Sequence, residues 1–486
     1  MFARFVFEKS SAEYSDRVFL IDSDGLESKT HFSDYFAAQG FQIIRYENDL
    51  QFRIDYDDIV EGDGKYAVIA PDDVYIPYDI RTNYRIFKVS LTELFPRLNT
   101  AVIRERKNIN YDLLASAYRA NFNDCKTVYQ TEQFIENSVY GRKNVEEYLH
   151  IQLSKLAEMV SKANTYKDWF SIADFKAEVD TTSTKYDINA ATGHLNERFI
   201  SWVLSDFGTL SSKIDRESPV LVSKVMESIH RQSEKFVIVV MDGMSEYDWK
   251  ILSTSFSDIN YHKADVFAMI PTTTSISRQC LLSGKYPSQL YEPWNQSKEK
   301  TEFYEWALNY GYTEAQIGYE RGYTAEFGFS VRCAAVIINE IDDIVHGQGQ
   351  GRVGMYNDIG VMVKQKKLVN LVKRLLEQGF DVYITADHGN TPCVGDGKLI
   401  RTGVETETKS RRMLVMKDFA DKQSIIDRYN MIEYPKYYLS KDFDYLISPP
   451  GHSLDAKGEE VMSHGGITID EVIVPFISIK AGENNG

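Results

Sequence analysis

The sequence predicts an α/β protein, because apolar stretches typical of buried strands alternate with amphipathic stretches typical of helices. The run "FVIVVM" (Phe236–Met241) is apolar throughout, as the central strands of parallel sheets are. The segment Asn357–Gly379 has helical periodicity, ends on a glycine and leads directly into the strand-like "FDVYITADHG". These observations predict a mainly parallel sheet in the C-terminal half of the chain.

Three regions differ in pattern and are predicted to be separate domains. Residues 1–105 alternate strand-like and helix-like segments, which predicts a small N-terminal α/β domain. Residues 106–232 contain stretches such as "NVEEYLHIQLSKLAEMVSKA", whose apolar residues recur at helical spacing, so we expect a mainly helical connecting domain. Residues 233–486 return to the α/β pattern and form the third predicted domain.

Asp22 and Asp24 follow the first strand-like segment, at a place where parallel sheets often bind a ligand. Turn carboxylates are the favoured interpretation, since Asp is a common turn residue. A phospho-acceptor domain would also need a later Lys and a Thr or Ser at strand ends, and no convincing match is found.

The composition indicates a globular protein of the cytoplasm. Hydrophobic residues make up 43% of the 486 residues and aromatic residues 13%, so large cores can form. The longest uninterrupted apolar run is far shorter than the roughly 20 residues that span a bilayer. No signal-peptide pattern begins the sequence, and the four widely spaced cysteines predict free thiols.

The net charge of −16 limits the classes of partner. An acidic surface does not attract polyanions over long range, so strong nonspecific binding of duplex DNA is not expected. A local basic pocket for one phosphate, or a protein partner, remains compatible with this charge.

Carboxylates and histidines cluster where strands are predicted to end. The tripeptide Asp387–Gly389 alone would be an ordinary turn, because Asp and Gly are common turn residues. Other such residues follow or precede strand-like segments, and parallel strands gather their carboxyl ends at one edge of a sheet. Carboxylate oxygen and imidazole nitrogen both bind divalent metals. The candidate ligands are Asp242, Asp342, His346, Asp387, His388 and His464.

The spacing of these residues suits a metal site. Asp342 and His346 are four residues apart, so one helical turn would place both on one face. Three Asp and three His provide three ligands for each of two ions, with coordination positions left open for chemistry.

The stretch "PTTTSISR" offers a nucleophile. A threonine hydroxyl is a poor nucleophile at neutral pH, and metal coordination can activate it. Helix capping is the structural alternative, but a cap requires one Ser or Thr, whereas Thr272, Thr273 and Thr274 are consecutive. At a helix N-terminus the backbone amides would also stabilise a phosphate.

Five blocks in this order resemble the alkaline phosphatase superfamily: "VVMDG", "PTTTSISR", "DDIVHG", "ITADHGN" and "SHGGITIDEVIVPF". They span Asp242 to Pro475, about half of the chain. Within the superfamily the chain is similar to the PglZ family, whose members belong to bacterial anti-phage systems of the BREX type and to related signalling proteins.

The resemblance implies an alkaline-phosphatase-like C-terminal domain with two divalent metal ions, Zn²⁺ or another pair such as Mn²⁺. By motif, Asp242, Thr274, Asp387 and His388 would hold the first ion. Asp342, His346 and His464 would hold the second ion. Thr274 would be the nucleophile, with Thr272 and Thr273 as alternatives. Candidates for gripping phosphate oxygens are Arg278, Lys285, Arg411 and Arg412, although a solvated surface role is the favoured interpretation for each.

The resemblance predicts a metal-dependent phosphohydrolase, more specifically a phosphodiesterase acting on nucleotides or oligonucleotides. Its setting would be phage defence or related signalling, with proteins of a defence system as partners. One alternative is a phosphomonoesterase or phosphomutase on the same scaffold. Another is a catalytically weak scaffold subunit of a defence complex.

Two further motifs are interpreted structurally. "GQGRVG" (Gly349–Gly354) matches a dinucleotide-binding pattern but does not run directly out of a strand, as that fingerprint requires. It is predicted to be a flexible loop beside the metal site. His452 lies in a Pro/Gly-rich stretch and is predicted to be a satisfied loop histidine.

Overall fold

The computed structural model confirms an α/β protein with a mostly parallel main sheet. The structure describes residues 1–46, 48, 50–54, 64–72, 74–76, 78–106, 108–397, 410–417 and 422–484. The chain divides into two compact units, Met1–Ile151 and Gln152–Gly486.

The strands are numbered along the chain: β1 Arg17–Asp22, β2 Phe41–Arg45, β3 Lys65–Pro71, β4 Arg85–Val89, β5 Val220–Leu221, β6 Phe236–Met241, β7 His262–Phe267, β8 Ile317–Arg321, β9 Cys333–Ile338, β10 Asp381–Thr385, β11 Thr391–Gly395, β12 Met413–Met416, β13 Ile432–Glu433, β14 Asp444–Ile447, β15 His452–Ser453, β16 Glu460–Ser463 and β17 Ile473–Ile479.

The α-helices are cited by their bounds: Phe2–Ser10, Leu26–Thr30, Ser33–Ala38, Tyr78–Asn83, Leu91–Leu94, Thr100–Glu105, Tyr111–Ala120, Val128–Phe134, Arg142–Lys162, Tyr166–Lys185, Asn196–Asp206, Val225–Gln232, Glu246–Leu252, Thr274–Ser283, Glu299–Asn309, Glu340–Gly347, Gly351–Gln365, Lys367–Glu377, Lys422–Tyr429, Ile469–Val472 and Ala481–Asn484.

The first unit contains the small α/β sheet predicted from the sequence. Its four strands are parallel, in the order β2-β3-β1-β4. Asp22 accepts hydrogen bonds from the amides of Leu26 (2.7 Å) and Glu27 (2.8 Å), while Asp24 pairs with Arg104 at 2.9 Å. Both carboxylates are therefore engaged in local structure, in agreement with the turn interpretation.

The second unit is built on a seven-stranded sheet in the order β5-β7-β17-β10-β6-β9-β8. Strand β6 lies near its centre, between β10 and β9, and its six residues are buried, as its apolar sequence predicts. The sheet is parallel except at β17, which runs antiparallel to both β7 and β10. Two three-stranded sheets, β15-β11-β16 and β12-β14-β13, complete the described strands of this unit.

Helices before β5 pack directly on the main sheet through aromatic side chains. Phe170, in the helix Tyr166–Lys185, lies 4.7 Å from Phe267 of β7 between ring centroids. Trp202, in the helix Asn196–Asp206, stacks on the same ring at 5.6 Å. Large aromatic side chains bury much apolar surface, so this cluster contributes to the core of the second unit. The three-domain division of the sequence stays a prediction; the observed boundary lies within the helix Arg142–Lys162.

Two local predictions are wrong. The segment Asn357–Gly379 was expected to be one helix, but it is broken at Lys366, whose φ of 54° is left-handed. The "GQGRVG" stretch was expected to be a loop, but its residues from Gly351 onwards form the first turn of a helix.

The structure also bears on the predicted state of the cysteines and on membrane-spanning helices. Cys125, Cys280, Cys333 and Cys393 are free thiols, as predicted. No helix in the described part of the chain is long and apolar enough to cross a membrane.

Candidate metal centre

Strand register brings Asp242 and Asp387 to the same edge of the main sheet. Val240 of β6 pairs with Thr385 of β10 in parallel register, and each aspartate lies two residues beyond that pair. Gly243, with a φ of +75°, turns the chain sharply after Asp242. The carboxyl ends of two central strands therefore place two carboxylates side by side.

The first ligand group consists of Asp242, Asp387 and His388. One ligand atom from each lies within 4.8 Å of the others. His388 Nε2 is 3.8 Å from Asp242 Oδ1 and 3.9 Å from Asp387 Oδ2. All three side chains are buried.

The second ligand group consists of Asp342, His346 and His464, which meet the same distance criterion. The helix Glu340–Gly347 presents Asp342 and His346 on one face, as their spacing predicts; His346 Nε2 is 3.3 Å from Asp342 Oδ2. His464 follows β16, and its Nε2 lies 3.5 Å from Asp342 Oδ1.

The two groups are neighbours. The rings of His388 and His464 stack with centroids 4.2 Å apart and planes inclined by 14°. The rings of His346 and His464 are 5.4 Å apart. The structure therefore brings all the predicted ligands into one site, and their role as metal ligands stays a prediction.

Backbone carbonyls orient two of the imidazoles. His388 Nδ1 lies 3.1 Å from the carbonyl of Gly389, and His464 Nδ1 lies 3.0 Å from the carbonyl of Thr272. A carbonyl accepts hydrogen bonds and cannot donate them, so Nδ1 carries the proton in each ring. Each ring is therefore the tautomer with a free lone pair on Nε2. That lone pair points into the site, as metal binding requires.

The donor set fits divalent cations. Oδ1 of Asp342 and Oδ2 of Asp387 are buried and accept no hydrogen bond from the described residues. Burial raises the pKa of Asp387 well above its usual value, and the neighbouring Asp242 carboxylate raises it further. A cation would remove this repulsion and supply the missing partner of both oxygens. Oxygen and nitrogen ligands suit Zn²⁺ and Mn²⁺ alike.

The three residues of the second ligand group all have shifted pKa values. Burial would raise the pKa of Asp342, but the hydrogen bond from His346 holds it below its usual value. Burial, with His388 beside it, lowers the pKa of His464 to about 4. The hydrogen bond to Asp342 raises the pKa of His346.

The three threonines have different surroundings. Thr274, the first residue of its helix, has Oγ1 3.1 Å from His388 Nε2 and 3.4 Å from Asp242 Oδ1. Thr272 uses its hydroxyl to bond the Gly466 carbonyl at 2.8 Å. The hydroxyl of Thr273 is buried and has no hydrogen-bond partner among the described residues. Of the three hydroxyls, that of Thr274 is the one that faces the first ligand group.

Arg278 lies in the interior, so the solvated role favoured for it is wrong. Its side chain is fully buried; Nη1 donates to Asp242 Oδ2 at 2.6 Å, and Nε donates to Glu299 Oε2 at 2.5 Å. Arg278 thus holds one oxygen of Asp242 while the other oxygen faces Thr274. Its predicted contact with substrate stays untested, although both of these nitrogens are engaged by carboxylates.

The other cations lie in different places. Lys285 pairs with Glu302 at 2.5 Å and lies beyond the C-terminal end of the helix that Thr274 begins, roughly 15 Å along its axis. Arg411 is 42% exposed and pairs with Asp455 at 3.1 Å, and its charge acts on His346. Arg412 is buried against Glu471, so a solvated role is wrong for it as well.

Some supporting residues gave no signal in the sequence. Glu299 anchors Arg278, and it also accepts hydrogen bonds from Tyr319 (2.6 Å) and Arg321. Asn390 donates to the Gly243 carbonyl at 2.8 Å and to Asp248 at 2.6 Å, so it ties the β10 loop to the β6 loop. The position of Asn390, directly after the "ADHG" block, is the feature of the sequence that could have drawn attention to it.

The two motifs interpreted structurally lie outside the ligand groups. Within "GQGRVG", Arg352 binds the carboxylates of Asp180 and Asp470 and takes no part in a nucleotide fingerprint. His452 is half exposed and lies 3.0 Å from Asp396 Oδ1. It therefore has a local partner, as predicted, although it lies in the short strand β15 and not in a loop.

Comparisons with known proteins agree with the site. The family model described as "BREX system PglZ alkaline phosphatase-like domain" matches residues 220–479. The search of curated proteins found no match.

Solved structures give a weaker likeness. Murine ectonucleotide pyrophosphatase/phosphodiesterase 5 is 14% identical over 50% of this chain and 88% of its own, with a TM-score of 0.36. Its human counterpart is 15% identical over 51% and 90%, with the same TM-score. Phosphonoacetate hydrolase from Sinorhizobium meliloti 1021 is 13% identical over 51% and 90%, with a TM-score of 0.33. Scores at this level carry no weight in the assignment.

The family assignment therefore rests on the matched region. It covers just over half of the chain and contains all seven predicted ligands, with the sheet edge on which they lie. This confirms the metal-dependent phosphoesterase scaffold expected from the sequence motifs. The chain belongs to the PglZ family of alkaline phosphatase-like hydrolases of phosphoric esters.

Proposed function

We propose that the protein is a two-metal phosphodiesterase acting on nucleotides or short oligonucleotides, with Thr274 as its nucleophile. The observation that carries the proposal is the position of the Thr274 hydroxyl. It lies 3.1 Å from His388 Nε2, at the edge of one ligand group and beside a second group.

The chain's own residues supply both binding sites. Asp242, Asp387 and His388, with Thr274, would hold one ion, and Asp342, His346 and His464 would hold the other. Two divalent cations, which we propose to be Zn²⁺ with Mn²⁺ as the alternative, would stabilise charge on the phosphoryl oxygens and lower the pKa of a bound hydroxyl.

Thr274 would then act in two steps. Its hydroxyl proton leaves to solvent, the bond from Oγ1 to phosphorus forms, and the ester bond to one alcohol breaks, with the departing oxygen taking a proton from solvent. The intermediate is a phosphodiester between Thr274 and the retained half of the substrate. Water next attacks its phosphorus, the bond from Oγ1 to phosphorus breaks, and Oγ1 regains a proton as the phosphomonoester product leaves. The first-turn amides of the helix Thr274–Ser283 would stabilise the phosphate in both steps.

Two features guide the choice of substrate: the short chain segment between two site residues, and an arginine beside the second ligand group. Only 67 residues separate Thr274 from Asp342, which leaves little room for a large cap over the site. Arg411, exposed and near His346, is the cation we propose to contact a phosphate oxygen.

The description of the family model supports a place in a phage-defence system or related signalling, with proteins of that system as partners.

The test begins with elemental analysis of the purified protein and continues with hydrolysis of bis-nitrophenyl phosphate under added Zn²⁺ or Mn²⁺. Thr274→Val should reduce turnover by at least about 10³-fold, because removing a nucleophile typically has an effect of that size or larger. Thr273→Val is the matched control: it removes a neighbouring hydroxyl that is buried and makes no hydrogen bond to a described ligand residue. Equal losses in the two variants would refute the role of Thr274.

Two alternatives predict different results. A phosphomonoesterase or phosphomutase on this scaffold would act faster on mono-nitrophenyl phosphate than on the diester. A scaffold subunit would bind metal without turnover, and Thr274→Val would leave its binding to a partner unchanged.

A further inference from the structure

A cluster of four charged side chains, three of them buried and one partly exposed, lies behind the metal centre, and neither the sequence motifs nor the site chemistry uses it. It consists of Lys176, Asp180, Arg352 and Asp470. Lys176 is 1% exposed, and its Nζ donates to Asp180 Oδ2 at 2.7 Å and to the two oxygens of Asp470 at 2.7 and 2.8 Å. Arg352 contacts Asp180 and donates to Asp470 Oδ2 at 3.2 Å.

Two cations and two anions make the cluster neutral, which is how buried charges are tolerated. Thr192 adds a hydrogen bond of 2.8 Å to Asp180 Oδ1. Burial works against ionisation of Asp180, yet the charges of Arg352 and Lys176 hold its pKa below the usual value. Asp180 is thus kept as a carboxylate in the interior.

Asp470 connects this cluster to the first ligand group through the backbone. The carbonyl oxygen of Asp470 would lie 1.9 Å from a Cβ atom placed on Gly389, so the backbones of these two segments are in close contact. The amide of Gly389 donates to the carbonyl of Glu471 at 2.9 Å. The carbonyl of Gly389 in turn lies 3.1 Å from Nδ1 of His388. Residues 470–471 therefore support the backbone that orients the His388 ring.

The same short segment supports the second group. The buried carboxylate of Glu471 accepts a hydrogen bond of 2.7 Å from the amide of Gly466, two residues after His464. Arg352 is the second residue of the helix that follows the one carrying Asp342 and His346. Residues 470–471 thus connect the cluster to the two chain segments that carry His388 and His464.

We propose that Lys176 and Arg352 are positioning residues of the metal centre, because they fix Asp470 and through it the Gly389 backbone behind His388. Lys176 and Asp180 lie outside the region matched by the family model, in the helix Tyr166–Lys185. Lys176 and Asp180 of that helix therefore support the metal centre from outside the matched region. The proposal rests on the proposed function in one respect: it takes the two ligand groups to be metal sites.

The test is a metal-binding titration of the full chain by competition with a chromophoric chelator, using Zn²⁺ and Mn²⁺ separately. Lys176→Met should weaken metal binding about tenfold to a hundredfold, the usual effect of removing a residue that orients a ligand. Lys250→Met is the control, because it removes an ion pair to Glu178 of the same helix, at 3.6 Å, in which both side chains are more than one-third exposed. Its metal affinity should match that of the wild type.

A second variant separates positioning from folding. Lys176→Met combined with Asp180→Asn removes one charge of each sign and leaves Arg352 paired with Asp470, so the cluster stays neutral. Thermal unfolding of the metal-free form should show much of the stability regained, whereas metal affinity should remain weakened. Wild-type affinity in this folded double variant would overturn the positioning role of Lys176 and leave the proposed function standing. A wild-type protein that binds neither metal would overturn the proposed function together with this inference.

Discussion

Nη1 of Arg278 donates a 2.6 Å hydrogen bond to Oδ2 of Asp242 in a fully buried environment. This guanidinium also lies 3.9 Å from Asp387, so one positive charge serves two carboxylates of the first ligand group. The pair fixes the orientation of Asp242 in the metal-free protein.

Arg278→Met should destabilise the protein by about 3–5 kcal/mol, because removing one partner leaves buried carboxylates without a counter-charge. The measurement is urea unfolding of the metal-free protein. Arg411→Met removes an exposed arginine of the same site and should change stability little. If both variants unfold at the same urea concentration, the buried pair does not stabilise this fold.

His464→Ala should reduce the metal content from two ions to one per chain. Asp342 and His346 alone offer two ligands, whereas the first group would keep its own set. The metal content after dialysis, measured by mass spectrometry, gives the result. His452→Ala, at an exposed histidine paired with Asp396, should keep two ions.

His464 should make the metal-free protein less stable as the pH falls from about 6.5 to about 4. Burial lowers its pKa to about 4 in the folded state, while the unfolded chain takes up the proton near 6.5. Between these values the unfolded state binds more protons, so stability rises with pH by on the order of 3 kcal/mol in total. The difference in unfolding free energy between wild type and His464→Gln, measured across this range, should show that slope. A pH-independent difference would contradict the prediction.

Gly389→Ala should destabilise the protein by at least about 2 kcal/mol, since the added methyl group would overlap the Asp470 carbonyl at 1.9 Å. We expect weaker metal binding in the same variant. Gly360→Ala is the opposite case, because nothing lies within 4 Å of the added carbon and the residue is within the helix Gly351–Gln365. Chemical denaturation should show a gain of up to about 1 kcal/mol there.

Much of the site could be predicted from local sequence patterns. Asp242 and Asp387 directly follow apolar strands, and parallel strands gather their ends at one edge, so their proximity follows from topology. The spacing of Asp342 and His346 required only a helical turn. The tight contact of Gly389 with the backbone of Asp470 involves a distant segment, and no local pattern predicts it.

Other features depend on contacts that no local pattern records. Lys176 meets Asp470 across 294 positions of the chain. Arg278 resembles a surface cation in sequence, and its burial follows from the distant carboxylates of Asp242 and Glu299. The break at Lys366 occurs among good helix formers, without the Gly or Pro that would have indicated it.

The order of the ligands along the chain has a consequence for assembly. One group draws on residues 242 and 387–388, and the other on residues 342–346 and 464, so their sequence intervals overlap. Closing either loop shortens the search needed to close the other, because part of the second loop is already fixed. The two ligand groups should therefore form together as the chain folds, rather than one after the other.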